Sequence, residues 1–263
     1  MQVTATLKTS SGYHHKNPLL LLWTILGVFL LLGFINLLLP YFPEPVGSRS
    51  HLFVEGTILT LELSLGAGAL GLLIGIFLGI AKLSRNIFLY HFAWFWIWIL
   101  RGTPLLTQIL FVYYAVPLIF PALKLGEFNS ALIALALNVG AYNAEVVRAG
   151  ILAVPKGQFE TALSLGLSRF QVIQWVVFPQ AFKVMFPSLV NNFIALIKDS
   201  SLASCIGLLE LSLAGNRISS ETFQPFPILV TVAFIYLLLT SLMSGITYLY
   251  EKSLHGRRKL FET

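Results

Sequence analysis

Residues 160–180 read ETALSLGLSRFQVIQWVVFPQ. This stretch carries one glutamate, one arginine, three glutamines and a central glycine, and it interrupts an otherwise very apolar chain. Ala162 and Leu163 lie at helical spacing after Phe159, and Gly166 suits the position just past a helix end, where φ can be positive. Ser168 followed by Gln171 is a capping-box pattern that opens a second helix, expected to run to about Pro179. Its apolar positions Phe170, Ile173, Val176 and Val177 share a face. The stretch therefore predicts two short amphipathic helices set at an angle by a glycine. By itself this pattern fits either a helix pair lying on a membrane surface or a docking knob for a partner.

The surroundings say which kind of chain carries the insert. The 263 residues are 57% hydrophobic and 11% charged, with a mean hydropathy of +0.82. Soluble domains carry roughly 25% charge, so the composition predicts an all-α, multi-pass membrane protein. Six apolar stretches are long enough to cross a bilayer, near 18–39, 54–82, 88–116, 128–153, 184–206 and 225–250. The first is read as a retained span rather than a signal peptide, because no small-residue cleavage site follows LLLPYFPEP. Of the 17 lysines and arginines, Lys8, Lys16, Lys82, Arg85, Arg148, Lys156, Arg169, Lys183, Lys252, Arg257, Arg258 and Lys259 fall on one side. Only Arg49, Lys124 and Arg217 fall on the other. This bias predicts cytoplasmic termini and a cytoplasmic insert. The net charge of +6 is thus a membrane-topology signal and calls for no nucleic acid.

Polar residues inside spans are costly and mark candidate sites. In the fifth span Ser188, Asn192 and Asp199 share a helical face, and Asp199 is either a solute contact or a helix-packing group. Lys198 and Asp199 are adjacent and do not face each other. Glu62 in the second span and Asn138, Asn143 and Glu145 in the fourth either line a pathway or bond between helices. In the third span Arg101-Gly102-Thr103-Pro104 predicts a kink, and Arg101 there is either a packing group, snorkelling outward, or part of the pathway. Ala67, Gly71, Gly75 and Gly79 lie near a period of four and predict a close-packing face.

Other chemistries lack support. The single cysteine, Cys205, excludes an intramolecular disulfide, and no metal site is expected; His14 and His15 sit in a polar tail. No nucleotide-binding P-loop and no protease or esterase motif occurs.

The pattern E-x-A-x-x-x-G at Glu160, Ala162 and Gly166, then nine residues, then V-x-x-P at Val176 and Pro179, resembles the EAA loop of ATP-binding-cassette (ABC) importer permeases. The chain departs at Thr161, where the family often has alanine, and at Val176, where isoleucine is usual. Residues 101–114 (RGTPLLTQILFVYY), 137–162 and 196–204 (LIKDSSLAS) are similar to the polar amino-acid subfamily. The resemblance covers about residues 53–250 and implies a type I importer fold: a five-helix core, with 1–52 adding a tail and an extra helix and 251–263 a basic tail. It implies a non-catalytic permease in a bacterial inner membrane. ATP and magnesium would then be held by a separate cytoplasmic ATPase, and this chain would hold no cofactor. An extracytoplasmic substrate-binding protein and a second permease subunit, identical or paralogous, would complete the assembly. On this reading the insert is a coupling helix, with Glu160, Ala162, Gly166, Ser168 and Arg169 at the ATPase. An ATP-independent transporter or channel is the alternative, and internal inverted repeats would favour it; none is evident.

Overall fold

A computed structural model describes residues 18–258, with side-chain detail over 26–249 except Ile246. The basic N-terminal tail and the side chains of the C-terminal tail lie outside these residues. The described chain is all helical: α1 Pro18–Leu38, α2 Ser50–Ala81, α3 Ile87–Gly102, α4 Leu105–Ile119, α5 Glu127–Leu152, α6 Lys156–Ser164, α7 Arg169–Ile206, α8 Leu211–Thr222 and α9 Pro225–Arg258. Four of them, α2, α5, α7 and α9, are long and apolar enough to cross a membrane, and α3 with α4 makes a fifth if counted together. In α1 the described apolar stretch is the 16 residues Leu26–Tyr41, with its short 3-10 end.

The α2–α5 pair is the spine. Ala67, Gly71, Gly75 and Gly79 are all buried, and α5 lies against them. A Cβ on Gly75 would sit 2.5 Å from the Asn143 Cβ and 3.1 Å from the Gly140 carbonyl oxygen; one on Gly79 would sit 2.7 Å from the Ala144 oxygen. Helix association in lipid relies on such close backbone approach, since burying apolar surface gains little there. Gly75→Val should therefore destabilise the bundle by about 1–3 kcal/mol, seen as a lowered melting temperature in detergent and reduced membrane abundance.

The third apolar run bends where Gly102 and Pro104 predict a kink, and more sharply than a kinked helix does. It breaks by 109° between Gly102 and Leu105. Pro104 has no N–H to give the Leu100 carbonyl, and its ring excludes a straight helix. Gln108 replaces the missing donor: its Nε2 bonds to the Leu100 oxygen at 2.7 Å and to Thr103 Oγ1 at 2.9 Å. Thr103 Oγ1 in turn donates to the Ile99 oxygen at 2.8 Å. Gln108→Leu should cost about 1–2 kcal/mol, because the Leu100 oxygen keeps only the longer 3.4 Å bond from Asn138 Nδ2 and Asn138 loses its Gln108 acceptor; a thermal shift of the purified chain measures it. Ala93 and Ile97 of α3 pack against Leu78, Ala81 and Ala144. Thus α3 lies across the ends of α2 and α5 nearest the α6 loop.

The second insert helix also differs from expectation, because it does not stop at Pro179. It continues as α7 through Ile206, 38 residues in all. A π turn at Ile173–Val177 ends one residue short of the proline, whose ring would otherwise meet the Trp175 carbonyl. At 1.5 Å per residue α7 is roughly 55 Å long, well beyond a hydrocarbon core of about 30 Å. The insert is therefore one short helix, α6, joined to a helical extension of a span.

At the opposite end, the chain from Leu39 to Arg49 meets α8 through an Arg49–Glu221 ion pair. The fully buried Glu210 caps α8, accepting from the Ser212 and Leu213 amides at 2.8 and 2.9 Å and from the Tyr236 hydroxyl at 2.9 Å. Burial pushes its carboxyl above the ordinary glutamate value, against the pull of those hydrogen bonds.

Candidate functional site

Asp199 sits where α7 tightens into its final 3-10 turns, Ser200–Ile206. It is half-buried and opens on a cavity of about 450 Å³ between the α3–α4 break, α5 and α7. Asn138, Tyr142, Asn192, Ala195 and Thr103 share this cavity with it. Two of its amides are fixed in place. Asn138 Nδ2 donates to Gln108 Oε1 at 3.0 Å, and Asn192 Nδ2 donates to the buried Asn143 Oδ1 at 2.9 Å. The cavity thus offers one carboxylate and oriented amides in an otherwise apolar bundle. That arrangement suits a small polar solute carrying a positive group.

The structure brings together Asp199, Asn192 and Asn138 of the sequence-derived candidates, but not Ser188 or Glu62. Ser188 is exposed, more than two helical turns along α7 from Asp199, and does not line this cavity. Glu62 is exposed and lines a separate, larger apolar groove of about 780 Å³, together with Asn143 and residues of α1 and α7. Tyr142, Thr103 and Gln108 are site residues that spacing did not reveal. Gln108 was visible only as a polar residue four places after a proline.

Glu145 anchors an ion cluster one turn further along α5. Lys82 bonds to it, Arg148 Nε lies 2.9 Å from Oε2, and Arg101 Nη1 lies 4.0 Å from Oε1. The Arg101 guanidinium also stands 5.1 Å over the Tyr142 ring. Arg101 is thus partly exposed to solvent while its head group faces the Tyr142 ring and Glu145. Among the described residues no group of three or more His, Cys, Asp and Glu could hold a metal ion.

The insert is built from local signals. Gly166 has φ +83°, its N–H bonds to the Leu163 oxygen at 2.9 Å, and the Leu167 N–H bonds to the Ala162 oxygen at 3.3 Å. These are the two bonds of a Schellman C-terminus. Ser168 and Gln171 form a reciprocal capping box, at 2.8 and 3.3 Å. Ala162 is buried, while Glu160, Arg169, Leu165 and Phe170 are exposed. The result is a capped knob whose surface mixes apolar side chains with the charges of Lys156, Glu160 and Arg169.

Residues 71–256 match the family described as "Binding-protein-dependent transport system inner membrane component". The chain belongs to that family. It is a permease, the membrane component of an ABC importer, and a separate chain hydrolyses ATP. A relative from Rickettsia typhi is 42% identical over 201 residues, covering 76% of this permease and 92% of the relative. The glutamine transport system permease protein of Escherichia coli K12 is 38% identical with the same coverage. A chain in the crystal structure of an amino acid ABC transporter with histidines superposes with a TM-score of 0.72 at 36% identity, covering 78% of the permease and 95% of that chain. A methionine ABC transporter in inward-facing form shares the fold at 21% identity and a TM-score of 0.63. These relatives support the ATP-driven reading and give none to an ATP-independent transporter. The family works in the inner membrane with an ATPase and a binding protein.

Proposed function

We propose that this permease carries a polar amino acid, glutamine or a basic amino acid, through the Asp199 cavity. The observation that carries the proposal is the cavity itself, which sets Asp199 among the fixed amides of Asn138 and Asn192. Asp199 would meet the solute's ammonium group, and the amides its polar atoms. The relatives with glutamine and histidines in their descriptions support this solute class.

The α6 knob seats in a groove of the partner ATPase, which holds ATP and magnesium; this chain holds neither. Glu160 and Arg169 make charged contacts there, Ala162 packs beneath, and Gly166 with Ser168 sets the angle. Because α7 is continuous from Arg169 to Asp199, movement of the knob reaches the solute cavity directly. Two permease subunits, identical or paralogous, form the working unit. The termini and the knob face the cytoplasm, and the outer segments, including α8, receive the binding protein. Residues 1–52 are an addition to the 53–250 core, and 251–263 form its basic tail.

Reconstituted vesicles containing the permease and its ATPase test this reading, with ATP on the knob side and a panel of amino acids on the other with their binding proteins. Accumulation of one polar amino acid is the expected result. Transport of only apolar amino acids or sugars would contradict it.

A further inference from the structure

A second cavity, of about 410 Å³, lies beside the first and is lined by Arg101, Gly102, Tyr142, Glu145, Lys82 and Trp98, among others. The two cavities meet at one wall. Tyr142 lines both, and the consecutive residues Gly102 and Thr103 line one each. One face of α5 orders the whole region: Asn138 in the solute cavity, Tyr142 in the wall about 6 Å further on, and Glu145 in the second cavity about 4.5 Å beyond that. Seven residues later α5 ends and leads into the knob helix α6. The second cavity therefore lies between the solute cavity and the knob end of the bundle.

The wall consists of a ring with a cation over it, and the cation is the loosest member of its cluster. Lys82 and Arg148 contact Glu145 directly, with side chains 18% and 34% exposed. Arg101 is 43% exposed and stands off at 4.0 Å. Two cations already neutralise the carboxylate, so Arg101 can leave it at little electrostatic cost. Its backbone lies two residues before the 109° break, and nothing stands within 4 Å of the Cβ position of the neighbouring Gly102. There is space for the segment to shift.

We propose that Arg101 and Tyr142 form an inner lid on the Asp199 cavity, latched by Glu145. The lid separates the solute from the knob end until α5 and α7 move. This rests on the solute reading of the cavity, and it names the groups that close the cavity toward the ATPase.

The test uses Ala195→Cys, which lines the solute cavity, in a Cys205→Ala background. Inverted membrane vesicles holding the permease and its ATPase, without nucleotide, receive membrane-impermeant thiol reagents of either charge on the knob side. Adding Arg101→Ala should raise the labelling rate by on the order of tenfold with both reagents, as the open population grows. Arg101→Lys should restore slow labelling in part. Tyr142→Ala, which changes no charge, should raise the rate as Arg101→Ala does, and it serves if the arginine variant fails to accumulate. Equal rates with and without the Arg101 and Tyr142 side chains would overturn the lid. A rise for the cationic reagent alone would overturn it too, since that reports only lost charge. Glutamine and arginine in the medium should slow labelling of the open variants. If the lid effect persists and no polar amino acid protects, the solute reading of the cavity fails while the lid stands.

Discussion

Asp199→Ala should reduce uptake by on the order of 10- to 100-fold while leaving the permease in the membrane at normal abundance. The magnitude follows from losing one charge-assisted hydrogen bond to an ammonium group, about 1.5–3 kcal/mol. The sparing of the fold follows from the site. Asp199 makes no hydrogen bond or ion pair with described residues; it faces a cavity, and the carbonyls and amides around it are paired by Gln108, Asn138 and Asn143. Asp199→Asn should recover packing but not charge, and so should remain impaired. Rapid uptake in a complex assembled on Asp199→Ala would remove the residue from the solute path.

Gly166→Pro and Glu160→Lys should separate ATP hydrolysis from transport. Gly166 holds φ +83°, which proline's ring cannot adopt. The substitution also removes the N–H that bonds to the Leu163 oxygen. Both losses fall on the joint between α6 and the long α7 lever. Glu160→Lys leaves the joint intact and reverses the charge on the exposed face of the knob. Coupled uptake should fall by at least about tenfold in each, the scale of one lost charged contact. Gly75→Val behaves differently, because it acts through the α2–α5 contact and lowers the amount of protein in the membrane rather than its coupling.

The contrast between what the chain announces and what only folding supplies follows the range of each interaction. The glycine series 71, 75 and 79 is legible because close helix packing imposes its own period. Gly166, Ser168 and Gln171 are legible because caps are made within five residues. Asp199 stands out because a carboxylate within an apolar span is rare. Tyr142, by contrast, has an ordinary spacing, and its role comes from Arg101, some forty residues earlier, being swung over it by the break at Pro104. Lys82 reads as a loop charge until Glu145 is placed beside it. Pro179 reads as a helix end because a π turn leaves no mark in composition. Ser188 shares a face with Asp199 by angle, yet it lies too far along the axis to share its cavity. Helical phase alone does not report depth.

The central claim is that the α6 knob transmits ATP-driven motion to a polar amino-acid cavity. ATP hydrolysis measured in liposomes tests it most directly, with the permease, its ATPase and a candidate binding protein reconstituted together. The account predicts hydrolysis stimulated by the binding protein loaded with one polar amino acid, and loss of that stimulation with Glu160→Lys. Amino-acid flux through the permease with no ATP and no ATPase present would contradict it.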